Sequence, residues 1–258
     1  MLRTLALAMI MSSPAFASIV TKNVAYTANE KTQLEGVLVY DDAVKTPRPG
    51  LVLVPNWLGI NAPNVEQAKL VAGSKYVVFV ADMFGKDGRP KGIEDAPKIA
   101  GAVRGDPKLM RARVLGALEA LKAQKVPGGL DTKKLGAVGF CFGGTGVLEL
   151  ARAGGDVLGV VSFHGGLAPL MPDQPAKSVK AKILALHGAE DPAVPPKDVE
   201  AFENELRAAK ADWQLVKYGN SVHSFTDPDA KNPGRNEYNP LTAKRAYAAM
   251  NAFFDELF

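Results

Sequence analysis

Five short runs of the chain are apolar without alternation: Leu51 to Pro55, Val77 to Ala81, Leu135 to Gly139, Leu158 to Phe163 and Ile183 to Leu186. A strand that hides one face alternates apolar with polar residues. Unbroken β-branched runs of this length suit strands covered on both faces, as in a parallel sheet. Ahead of them, Val20 to Thr27 and Gln33 to Tyr40 read as an antiparallel hairpin at a sheet edge, and a last strand falls near Trp213 to Tyr218.

Helical spacing fills the gaps. Asn64 to Ala72 is one segment, and a second starts behind Asp106-Pro107 and repeats Met110, Val114, Ala117, Leu118 and Leu121 on one face. Aspartate at the cap with proline at the first position is a helix start with a mechanism, because that proline gives up no needed N–H. A third segment follows Gly143 through Leu148, Leu150 and Ala151. A fourth opens at Pro195-Pro196 and carries Val199, Phe202, Leu206 and Ala209. The last runs from about Pro240 through Tyr247, Met250 and Phe254. Strands alternating with helices imply right-handed crossovers, hence an α/β fold with one doubly wound, mostly parallel sheet flanked by helices. No composition break divides the chain, so a single domain over residues 18–258 is expected.

Composition narrows this only slightly. A hydrophobic share of 47% and a charged share of 22% describe an ordinary globular chain, neither disordered nor built to span a bilayer. The formal charge of +4, from 31 Lys and Arg against 27 acids, is scattered and gives no argument for nucleic acid. The N-terminus does change the picture. Arg3, the apolar Leu5 to Met11 and the small-x-small Ala15-Phe16-Ala17 form a signal-peptide pattern, with cleavage expected between Ala17 and Ser18. Residues 1–17 are therefore read as a leader, and the mature protein as periplasmic or secreted with no membrane span. One cysteine cannot close an internal disulfide in that oxidising setting.

That cysteine, Cys141, sits in Gly139-Phe140-Cys141-Phe142-Gly143 between an apolar run and a helical one. A lone cysteine is by default a small buried hydrophobe. The glycine frame argues otherwise, because a nucleophile raised on a sharp strand-to-helix turn leaves no room for Cβ atoms two residues away. In an open parallel sheet reactive groups gather at the carboxyl ends of strands. Those ends give Asn56-Trp57, Asp82 to Lys86, Cys141, His164, His187 to Asp191, and His223 beyond the last strand. Cys141, Asp191 and His223 stand in the chain order nucleophile, acid, base that an α/β-hydrolase uses. His223 would take the thiol proton, Asp191 would fix its tautomer, and the N–H groups of Trp57 and Phe142 would form an oxyanion hole. Glu190 competes for the acid position, and the turn Asp191-Pro192-Ala193-Val194-Pro195 favours Asp191. His164 and His187 read as structural. Lys86, Arg89 and Lys91 are either a solvated basic loop or an anion-binding rim. No metal-ligand spacing and no phosphate-cradling loop is present in the sequence.

Gly139 to Gly144, His187 to Asp191 and Val222-His223-Ser224-Phe225-Thr226 together resemble the dienelactone hydrolases, and Ala81 to Gly85 and Phe163 to Leu167 resemble their bacterial branch. The likeness spans nearly the whole mature chain. It implies an α/β-hydrolase fold without a large lid, hydrolysis of an enol-lactone or small ester through a thioester, and no cofactor. It also implies a glutamate where this chain has Asn56, and a pair of arginines for a substrate carboxylate where it has Lys86 and Asp227. Asn56 and Lys86 are accordingly the expected substrate contacts. A thioesterase or general carboxylesterase on the same residues, or a catalytically weakened ligand-binding protein, are the competing readings. The sequence assigns no oligomeric state.

Overall fold

The computed structural model describes residues 19–28, 32–172 and 179–258, so the expected leader lies outside the described residues. Eight strands form one sheet in the order β1-β2-β4-β3-β5-β6-β7-β8. β1 (Ile19–Thr27) pairs antiparallel with β2 (Gln33–Asp41), and β2 pairs antiparallel with β4 (Val77–Val80). From there every pairing is parallel, through β3 (Arg48–Val54), β5 (Leu130–Phe140), β6 (Gly159–Phe163), β7 (Lys182–Gly188) and β8 (Trp213–Tyr218).

The unbroken apolar runs have a direct explanation. Successive residues of a strand point to opposite faces, and here both faces are covered. Val52 and Val54 of β3 join one core with Val77 and Phe79 of β4, beneath α2 (Ala96–Arg104), α3 (Pro107–Lys122), α4 (Phe142–Arg152) and α5 (Pro196–Ala208). Leu51 and Leu53 join the opposite core with Val78 and Val80, beneath α1 (Ala62–Ala72) and α6 (Pro240–Leu257). This is the doubly wound, three-layer arrangement that the sequence pattern implies. Asp106 caps α3 by accepting from the Leu109 N–H at 3.0 Å, as the Asp-Pro signal requires.

Three departures matter for the site. β5 begins at Leu130, earlier than the apolar run at Leu135, because Leu130 and Asp131 pair with Arg48 and Pro49 before the register shifts. The helix α2 is absent from the hydrophobic reading, since only Ala96, Ala100 and Val103 of its nine residues are buried. A two-stranded ribbon, β9 (Lys231–Asn232) with β10 (Asn236–Glu237), also stands beyond β8. Among the described residues no helix is long and apolar enough to cross a membrane.

Candidate active site

β5 hands directly to α4 at Cys141. The Cys141 N–H still donates to Phe163 O at 3.0 Å, continuing the strand ladder, and the next residue is already helical. The turn forces Cys141 to φ 54° and ψ −115°, a conformation that L side chains rarely hold unless their surroundings fix it. Those surroundings are backbone. A Cβ on Gly139 would lie 2.0 Å from Gly143 O, and one on Gly143 would lie 2.0 Å from Val54 O. Both glycines are there because helix, elbow and neighbouring strand touch main chain to main chain.

His223 reaches this elbow from the loop after β8. Its Nε2 stands 2.9 Å from Cys141 Sγ, and its Nδ1 stands 2.8 Å from Asp191 Oδ2. Asp191 is buried after β7, and its Oδ1 accepts from the Ala193 N–H at 2.8 Å. Glu190 has a different task. Its carboxylate accepts from the Ser221 N–H at 2.9 Å while its own N–H donates to Ser221 O, so it binds the two loops together. The ribbon secures the other side, where the Glu237 N–H donates to His223 O at 3.0 Å.

Burial on its own would push the Cys141 thiol up and the His223 ring down. The contact between them reverses both. The charge and hydrogen bond of His223, the Phe142 N–H that donates to sulfur, and the charge of Arg104 hold the thiol below its ordinary range. The charge of Cys141 and the hydrogen bond that Asp191 accepts from Nδ1 carry His223 up to about 10. Both shifts favour the proton on the imidazole and the negative charge on sulfur, the form of a thiol that attacks. The other two histidines go the opposite way. Burial holds His164 well below the usual imidazole value, helped by the charge of His223, and burial lowers His187 as well.

Trp57 follows β3, and its N–H has no acceptor among the described residues; the Phe142 N–H opens α4 beside the sulfur. Asn56 shapes the Trp57 loop. Its Oδ1 accepts from the Leu58 N–H at 3.0 Å and from Asn64 Nδ2 at 2.9 Å. Two cavities, of about 800 Å³ and about 600 Å³, meet at Cys141 and Trp57. Asn56 lines the larger one. Lys86 lines neither: its exposed side chain lies 3.2 Å from Glu35, and Arg89 is tied to Asp82 at 2.9 Å. The cations that do face the smaller cavity are Arg104 and Arg235. Sequence reading missed both because each rides on an element with little apolar signal, the end of α2 and the turn of the ribbon. Asp95 before Ala96-Pro97, with Ala100 and Val103 on one face, was the available cue for the first.

The family model described as the dienelactone hydrolase family matches residues 34–258. Among solved structures, a dienelactone hydrolase-like promiscuous phosphotriesterase from metagenomic libraries is 37% identical with a TM-score of 0.86, covering 94% of this chain and 100% of that one. An uncharacterized protein of Caenorhabditis elegans is 37% identical over 58% of this chain and 94% of its own length. A candidate carboxymethylenebutenolidase of Escherichia coli (strain K12) is 25% identical, over 69% of this chain and 68% of its own.

Proposed function

The chain belongs to the dienelactone hydrolase family and is a carboxylic ester hydrolase, and we propose that it cleaves lactones or small esters through a Cys141–His223–Asp191 triad. The observation that carries this reading is the unbroken line of contacts from Sγ through the imidazole to the buried carboxylate.

In the proposed cycle the Cys141 thiolate attacks the carbonyl carbon, and the electron pair moves to the carbonyl oxygen. The Trp57 and Phe142 N–H groups receive that oxyanion in a site arranged before the charge develops. Collapse breaks the bond to the leaving oxygen, which takes the Nε2 proton of His223, and a thioester remains on Cys141. The neutral imidazole then draws a proton from water, and the hydroxide adds to the thioester. The carbon–sulfur bond breaks, releasing the acid and restoring the thiolate beside an imidazolium. Asp191 keeps Nδ1 protonated and the ring in place throughout. Asn56 acts on the geometry of the Trp57 loop and, lacking a titrating proton, takes no part in the transfers.

Purified protein is expected to hydrolyse small activated esters and enol-lactones. Rapid quenching should trap an acyl adduct on Cys141 by mass spectrometry, and Cys141→Ala should lose both adduct and turnover. Turnover unchanged in that variant would overturn the assignment. A panel of matched lactones, esters, acyl thioesters and phosphotriesters, ranked by kcat/KM, separates this reading from a thioesterase. The leader is part of the same proposal: mature protein begins near Ser18, which N-terminal sequencing of exported material tests.

A further inference from the structure

The larger cavity leads away from Cys141 between α1 and α6. Near the reacting centre, Asn64 of α1 donates to Asn56 Oδ1 at 2.9 Å. Three residues on, Gln67 donates to the Tyr247 hydroxyl of α6 at 3.2 Å and ties the two walls together. Three more bring Leu70, which lines the cavity yet is 67% exposed. Tyr238 is a second exposed apolar side chain on the same cavity, and Leu241, next to its lining residue Pro240, is a third. Single exposed apolar residues need no explanation, whereas several at the mouth of one cavity form a surface that a ligand would cover.

The carbon that Cys141 attacks has four substituents in the tetrahedral state. One is sulfur, one is the oxyanion at the Trp57 and Phe142 N–H groups, and one is the leaving oxygen, which must reach His223 Nε2 for its proton. His223 lines the smaller cavity and not the larger, so the fourth substituent, the acyl chain, is directed to the larger. We propose that the space between α1 and α6 is an acyl-chain site, so that the preferred substrate is an ester of a straight, uncharged carboxylic acid of medium length. This rests on the triad reading above and adds the identity of the acid released. From Asn64 to Leu70 the helix advances about 9 Å. An extended chain advances about 1.2 Å per bond, so the wall matches a chain of about eight bonds. Glu66, Asp227 and Asp229 outnumber the one cation on the cavity, Lys244, and would repel a carboxylate at the end of such a chain.

The test is a series of 4-nitrophenyl esters from acetate to dodecanoate, kept below their solubility limits. Full burial of one methylene is worth about fourfold, and a groove open on one side realises about half of that free energy. From butyrate onward kcat/KM should therefore climb about twofold per carbon and level off near octanoate to decanoate. Methyl hexanoate and pentyl acetate are isomers that carry the chain on the acid and on the alcohol respectively, and the hexanoate should be faster by about tenfold. The mono-4-nitrophenyl ester of suberic acid, with a carboxylate at the chain end, should be about fivefold poorer than the octanoate. Leu70→Glu changes an exposed position and should lower the octanoate-to-butyrate ratio about fourfold. Because each readout is a ratio within one preparation, a general loss of activity does not imitate it. A flat chain-length profile, equal rates for the two isomers, or a ratio that survives Leu70→Glu would overturn the acyl-chain site. Failure to turn over any of the esters would instead count against the triad reading.

Discussion

His223 and His164 make the most useful contrast in the molecule. Both stand beyond the carboxyl ends of strands, both are largely buried, and their rings meet edge-on with centroids 5.2 Å apart. Yet one is raised to about 10 and the other held well below the usual imidazole value. Burial pushes both rings toward the neutral form. What separates them is the company of anions. His223 lies between the sulfur and Asp191, whereas His164 contacts the Thr226 hydroxyl at 2.8 Å and keeps an Nδ1 without a partner among the described residues. His187 follows His164, with its Nδ1 likewise unpartnered among the described residues. Position at a strand end therefore does not raise an imidazole. An anion on each side of the ring does.

Removing the charged member should have the largest effect. His223→Gln is expected to lower kcat/KM by about 10⁶-fold, by analogy with the loss of a triad histidine. It should also return the Cys141 thiol toward its ordinary titration range, read from the rate of alkylation against pH. A fast, acid-tolerant alkylation in that variant would show that the histidine does not set the charge on sulfur.

The unaltered protein supplies the next test. With Cys141 held below the usual thiol range and His223 raised to about 10, alkylation should stay fast well below the pH at which a free thiol is protonated. A profile centred near 8.5, the free-thiol value, would contradict the charged pair.

The smallest effect belongs to His164. Its folded value lies well below 6.5, so as pH falls through 6.5 the unfolded chain takes up a proton that the folded one refuses. Stability is accordingly lost toward acid, by up to about 1.4 kcal/mol per pH unit for one such group. His164→Gln should flatten that limb in urea titrations at pH 5 and 7. A variant as acid-sensitive as its parent would place the sensitivity elsewhere.

Much of this was legible in the chain. Apolar runs without alternation imply strands covered on both faces, and the split of Val52 from Leu51 between two cores is the physical form of that pattern. The glycine frame of Cys141 and the order of acid and histidine point to the same residues that the fold brings within 2.9 Å of one another. Other features were hidden for definite reasons. Lys86 looked like an anion contact because its partner, Glu35, lies on β2, far away in sequence. The turn after Asp191 favours that residue beside the imidazole, but the separate task of Glu190 on the Ser221 backbone depends on the three-dimensional path of the Ser221 loop. Arg104 ends a helix whose buried face is only Ala96, Ala100 and Val103, and Arg235 sits between two strands of two residues each.

The contact between Gly143 and the last carbonyl of β3 has a consequence for how the site can vary. β3 runs on into Asn56-Trp57, so the Trp57 and Phe142 N–H groups are gauged from one main-chain abutment. Side chains do not set that spacing. The cavities on either side can therefore be relined, residue by residue, while the reacting centre keeps its dimensions. A change at Gly143 itself would wedge helix and strand apart and put the whole centre out of true.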